Sequence, residues 1–114
     1  AVGITTYPYF DYETPADIPA GYYAEITAYW TGKVIFTEIG WVADPAGPYT
    51  GSEQEQADFI PVFFSRTASL AREYVIYIFE HDYDALPAAF SMIGLKTNSG
   101  TARAADAVWK ASVP

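Results

Sequence analysis

A chain of 114 residues with 51% hydrophobic content can build one packed domain and is too apolar for disorder. Fourteen acids against six bases give a net charge of −8, which disfavours a nucleic-acid partner and an anionic membrane surface. No apolar run is long enough to span a bilayer, and the absence of cysteine excludes disulfides and thiolate metal sites while leaving the redox compartment open.

In chain order, Val2–Thr6 reads as a short β-branched strand, closed by Tyr7-Pro8-Tyr9-Phe10, where Pro8 stops regular pairing. Asp11–Asp17 reads as a loop. Pro19 suits the first turn of a helix with Asp17 as its N-cap, and Tyr22, Tyr23, Ile26, Tyr29 and Trp30 recur at helical spacing up to a Gly32 C-cap. Val34–Thr37 is the second strand, an apolar run of the kind buried on both faces of a parallel sheet. Val42–Gly51 follows as a ten-residue loop, longer than an ordinary connection.

Ser52 and Glu55 stand at capping-box spacing, so a helix is expected from there through Leu70, kinked at Pro61. Tyr74–Phe79 is the third strand, followed by the polar run Glu80-His81-Asp82-Tyr83-Asp84. A helical turn at Leu86–Phe90, an extended Ser91–Leu95 and a turn at Asn98-Ser99-Gly100 come next. Thr101 opens a last helix with Ala104, Ala105, Val108 and Trp109 on one face, ending near Ala111.

The pattern is strand, helix, three times over. It predicts an α/β fold with a parallel sheet, a single domain over residues 1–114, and the polar strand ends gathered on one side. Three units cannot close a (β/α)₈ barrel. The chain is either a small open sheet or the tail of a larger barrel, and a first residue already inside a strand favours the tail.

Glu38 is the acid that the second strand delivers at its carboxyl end, where α/β folds place their chemistry. It reads as catalytic, or as an ordinary strand-end acid paired with Lys or Arg. Tyr7 and Tyr9 stand at the end of the first strand, either in a site or packed under a loop. Trp41 offers a flat face to a ligand or serves as a lid over the core. Ten tyrosines and three tryptophans suit a partly apolar cleft of the sugar-binding kind as well as a core. Glu80 and His81 read as substrate contacts or as a solvated loop. As neighbours on an extended strand they are expected to point to opposite faces, so no metal site is expected there, and no cofactor elsewhere.

Gly3-Ile4-Thr5-Thr6-Tyr7-Pro8-Tyr9, Val34-Ile35-Phe36-Thr37-Glu38-Ile39-Gly40-Trp41, and Phe90-Ser91-Met92-Ile93-Gly94-Leu95 with Asn98-Ser99-Gly100 together resemble the last three βα units, strands six to eight, of clan A glycoside hydrolases. The nearest likeness is to endo-β-1,4-galactanases and similar β-glycanases, and it covers essentially the whole chain. The resemblance implies a retaining glycosidase with Glu38 as nucleophile. Tyr7, with Tyr9 as second choice, would orient that nucleophile, and Trp41, Glu80 and His81 would lie along an oligo- or polysaccharide substrate. It implies a secreted or periplasmic protein. It also implies an acid/base glutamate on a fourth strand that this chain lacks, although retaining hydrolysis needs two carboxyl groups about 5–5.5 Å apart. The remaining barrel, or other copies of the chain, would have to supply it. A non-catalytic module that binds carbohydrate or self-assembles is the other reading.

Overall fold

The computed structural model describes residues 1–113. Three strands, β1 (Val2–Thr6), β2 (Val34–Ile39) and β3 (Arg72–Tyr77), form one parallel sheet in sequence order. Helix α1 (Glu53–Arg66) links β2 to β3; α2 (Ala88–Ser91) and α3 (Ala104–Ser112) follow. This is the α/β arrangement that the alternation of elements predicts. No described helix is long and apolar enough to cross a membrane.

One face of the sheet is packed. Val34 and Phe36 are buried, and the Phe36 ring meets Tyr23 at 5.6 Å and Phe63 of α1 at 4.8 Å. Trp109 of α3 lies on Tyr77 and Phe64. The other face is open: Gly3, Thr5 and Thr37 are exposed, and Tyr74 and Ile76 keep 64% and 52% of their surface. Parallel sheets are ordinarily covered on both sides. Both outer edges, of β1 and of β3, also lack a partner strand among the described residues.

The first crossover departs from expectation. Residues 19–30 form no α-helix, only turns and a 3₁₀ segment at Ala24–Ala28. Asp17 does not cap a helix at Pro19. Its carboxylate accepts from the Thr14 backbone N–H at 3.0 Å and hydroxyl at 2.9 Å, and so closes the short 3₁₀ turn Pro15–Asp17. Gly21 and the β-branched Ile26 and Thr27 give the following segment weak helix propensity. The periodic aromatics therefore act as separate anchors: Tyr23 is buried, while Tyr29 is almost bare.

Helix α1 starts as predicted, with the Ser52 side chain accepting from the Glu55 N–H, and it runs through Pro61 without interruption. It stops at Arg66 rather than Leu70. The Thr67 hydroxyl donates to the Phe63 carbonyl at 2.8 Å and accepts from Arg72 at 2.9 Å, which ties the chain into the turn to β3. β3 begins two residues earlier than expected and ends at Tyr77. Beyond it, Phe79 and Glu80 accept backbone hydrogen bonds from Leu95 and Lys96, so the chain leaves the sheet for a local pairing. Ser91–Leu95 is not extended as expected: Ser91 belongs to α2 and the rest is irregular. The turn at Gly100 is where the sequence puts it, but the closing helix starts at Ala104 with Arg103 at its N-cap rather than at Thr101, and Ala104 is exposed while Ala105 is buried.

Candidate active site

Thr5 and Glu38 are register partners on β1 and β2, and a β-bulge sits at that point. Bulges re-aim side chains, often beside active sites. Two residues past Thr5, the Tyr7 hydroxyl donates to Glu38 Oε2 at 2.5 Å. Both side chains are half-buried. Glu38 Oε1 accepts no hydrogen bond from a described residue, and no described Lys, Arg or His pairs with this carboxylate. The ordinary strand-end ion pair is therefore not what holds it.

The Tyr7 phenol is pushed well above the usual tyrosine range, first by burial and then by the Glu38 hydrogen bond and charge. It stays a proton donor across the working range of a protein. Its ring is wedged among Phe90 at 5.2 Å, Phe10 at 5.8 Å and Tyr9 at 6.0 Å, mostly edge to face. Gly40 lets this packing close: a Cβ there would stand 3.1 Å from Ile78, 3.4 Å from Ile93 and 3.6 Å from the Tyr7 ring. The arrangement amounts to an oriented carboxylate with one unengaged oxygen at the carboxyl end of a parallel strand.

The other predicted site residues lie elsewhere. Tyr9 is buried and donates to the Ala89 carbonyl at 2.6 Å, so it anchors α2, and thereby Phe90, beside Tyr7. Trp41 is fully buried against Phe59 and presents no face to a ligand. The indole lies on the helix side of the sheet, against α1, where its Nε1 finds no partner among the described residues. Glu80 and His81 are exposed, and no described hydrogen bond or ion pair joins them to Tyr7 or Glu38. Glu80 bonds Lys96 at 2.5 Å, and the ammonium holds its carboxyl below the ordinary range. The expectation that Glu80 and His81 point to opposite faces fails, since His81 Nδ1 lies 4.0 Å from Glu80. The strand ends at Tyr77, so the alternation rule no longer holds there. Among the described residues no group of three His, Cys, Asp or Glu could hold a metal ion.

No protein-family model matches this chain, and no curated protein matches it. The site thus rests on its own geometry.

Two polar clusters escape sequence reasoning. Asp82 is buried and takes a bidentate pair from Arg103 at 2.8 and 2.7 Å, and its Oδ1 also accepts from the Gly94 N–H. Asp44 and Glu53 add charge around the same guanidinium, at 3.6 and 3.4 Å, and together these carboxylates raise its pKa. Gln56, fully buried, donates to the Tyr77 hydroxyl and to the Ile93 and Gly94 carbonyls. Its signal is legible: Gln56 shares one helical face with Phe59, Ile60 and Phe63, a polar residue where the period asks for an apolar one. Arg103 has no such signal, because it stands just outside the helix and belongs to no repeat.

Proposed function

We propose that this chain is the strand-six-to-eight portion of a retaining β-glycan hydrolase barrel, with Glu38 as the nucleophile. The observation that carries this reading is the Tyr7–Glu38 hydrogen bond at the carboxyl ends of adjacent parallel strands. Glu38 attacks the anomeric carbon through an oxygen, the glycosidic bond breaks with its electron pair going to the leaving group, and water later releases the sugar. The Tyr7 phenol fixes the carboxylate and remains a donor throughout. The general acid comes from outside this chain. The open face and the two unpaired edges of the sheet support that: the face carries Tyr74 and Ile76 as an uncovered apolar surface, the place for the rest of a barrel.

The same face favours a second reading, in which other copies of the chain cover it and the module binds carbohydrate without cleaving it. Sedimentation of the isolated chain separates the two. A defined oligomer supports self-assembly, whereas a stable, compact monomer counts against both.

Catalysis is tested with a 2-fluoro glycoside bearing a dinitrophenolate leaving group, which needs no general acid. Glu38 is expected to form an ester with the sugar as dinitrophenolate departs, seen as a mass gain on the peptide that contains it. Labelling of Glu38→Gln to the same extent, or labelling elsewhere, would sink the assignment.

A further inference from the structure

Phe10, whose ring packs on Tyr7, lines a cleft of about 350 Å³ that no part of the mechanism uses. Pockets for small ligands begin at about this size. Its walls come from the turn after β1 and from the loop after Trp41, with the Phe10 and Tyr49 rings packed at 5.1 Å between centroids and tilted by 47°. Phe10 keeps 41% of its surface exposed, yet its ring is held by Tyr7, Tyr9, Tyr49 and Phe90, all within 5.8 Å. An exposed aromatic ring so fixed loses little freedom when a ligand lands on it. Phe10 also touches both the cleft and the Tyr7 ring, so it joins the cleft to Glu38. The rest of the lining mixes Tyr9 and Pro48 with the polar side chains of Asp11, Tyr12, Glu13 and Thr50.

The charge of the lining selects the ligand. Two carboxylates and no cation line the cleft, and the whole chain carries −8. Carboxylates and a phenol accept hydrogen bonds from hydroxyl groups, and the carboxylates repel anions. We infer that this cleft is a subsite for a neutral sugar ring, stacked on Phe10 and Tyr49 with its hydroxyls on Asp11 and Glu13, and that it discriminates against uronic-acid residues. This rests on the glycan reading of Glu38 and adds the substrate's charge class and a second point of attachment.

The test is an NMR titration of the ¹⁵N-labelled chain with neutral β-1,4-linked galacto-, gluco- and xylotetraose, and in parallel with tetragalacturonate and calcium. At least one neutral tetraose is expected to shift the amides of residues 10–13 and 49, with the uronate at least about tenfold weaker. Phe10→Ala should weaken the neutral ligand about tenfold while the rest of the spectrum stays dispersed. Asp11→Asn with Glu13→Gln should narrow the gap to the uronate. No shifts at the cleft with any tetraose, equal affinity for the uronate, stronger shifts from calcium than from any sugar, or binding indifferent to Phe10→Ala each overturn the subsite. If Glu38 is labelled by the fluoroglycoside and the cleft stays silent, only the subsite falls. If the cleft binds and Glu38 is never labelled, the catalytic reading falls and a glycan-binding surface remains.

Discussion

Asp82–Arg103 and Tyr7–Glu38 are both carboxylates held by a donor at or beyond the carboxyl end of a strand, and they differ in what is left over. Both Asp82 oxygens are taken by the guanidinium, one of them also by a backbone N–H, and the pair is shut away from water. Among the described residues Glu38 has one partner, a neutral phenol, and one oxygen with none. A buried carboxylate with both oxygens engaged is not free to attack a ligand, and the pair acts as a staple. An oriented, half-exposed carboxylate has that capacity. The contrast predicts opposite responses: changes at the first cluster should cost stability, and changes at the second should cost chemistry.

Arg103→Met is expected to have the largest effect. It leaves Asp82 buried without its cation, which costs about 3–5 kcal/mol. Urea unfolding measures it, and a loss below about 1 kcal/mol would mean that water reaches Asp82 and that the staple is not closed. Gly94→Ala comes next. A Cβ there would stand 2.4 Å from the Asp82 N and the His81 carbonyl carbon, both backbone, so the Phe79–Asp82 pairing must move. Overpacking of this kind costs about 1–3 kcal/mol and occasionally more. A melting temperature equal to that of the unmodified chain would contradict the close approach.

The sheet and α1 were readable because their signals are local. Val34–Ile39 is a β-branched run, and Ser52 with Glu55 is a cap with its own geometry. The Tyr7–Glu38 pair was readable only through the resemblance, since nothing within either segment says that their side chains meet. For Trp41 the core alternative holds and the ligand face does not, and sequence could not choose between them: an aromatic after a strand end looks the same whether it faces a ligand or Phe59. The false helix after Pro19 shows the same limit. Its aromatic period was real, but Asp17 was already committed to Thr14. Arg103 was invisible because its partners lie at four separate places in the chain, and only the fold assembles them.

Alkaline pH should weaken the fold more gradually. Tyr9, Tyr23 and Tyr77 are buried, and burial raises each phenol above its ordinary value. An unfolded tyrosine ionises near pH 10, whereas these folded rings hold their protons higher. The unfolded state therefore sheds protons first. The stabilisation is complete below about pH 10 and is lost as pH rises through the window above it, by up to about 1.4 kcal/mol per pH unit for each ring. Melting temperatures from pH 8 to 11, read with tyrosinate absorbance, should fall together. Free ionisation at pH 10 without unfolding would show that these rings reach solvent.

Tyr7→Phe should disturb stability least and separates the two clusters most sharply. The ring and its packing against Phe10 and Phe90 remain, and only the donor to Glu38 goes, so the loss is that of one hydrogen bond, about 1 kcal/mol or less. Glu38 is half-exposed, and water can replace the phenol in the ground state. In the active protein the same change should lower the rate of Glu38 labelling by the fluoroglycoside about a hundredfold, because the attacking oxygen is no longer held in line. Saturation by the reagent should change little, since Tyr7 acts on the carboxylate and not on the sugar. A variant that labels at the original rate would make Tyr7 a packing residue. One that loses several kcal/mol of stability with no change in rate would place Tyr7–Glu38 beside Asp82–Arg103 as a second staple.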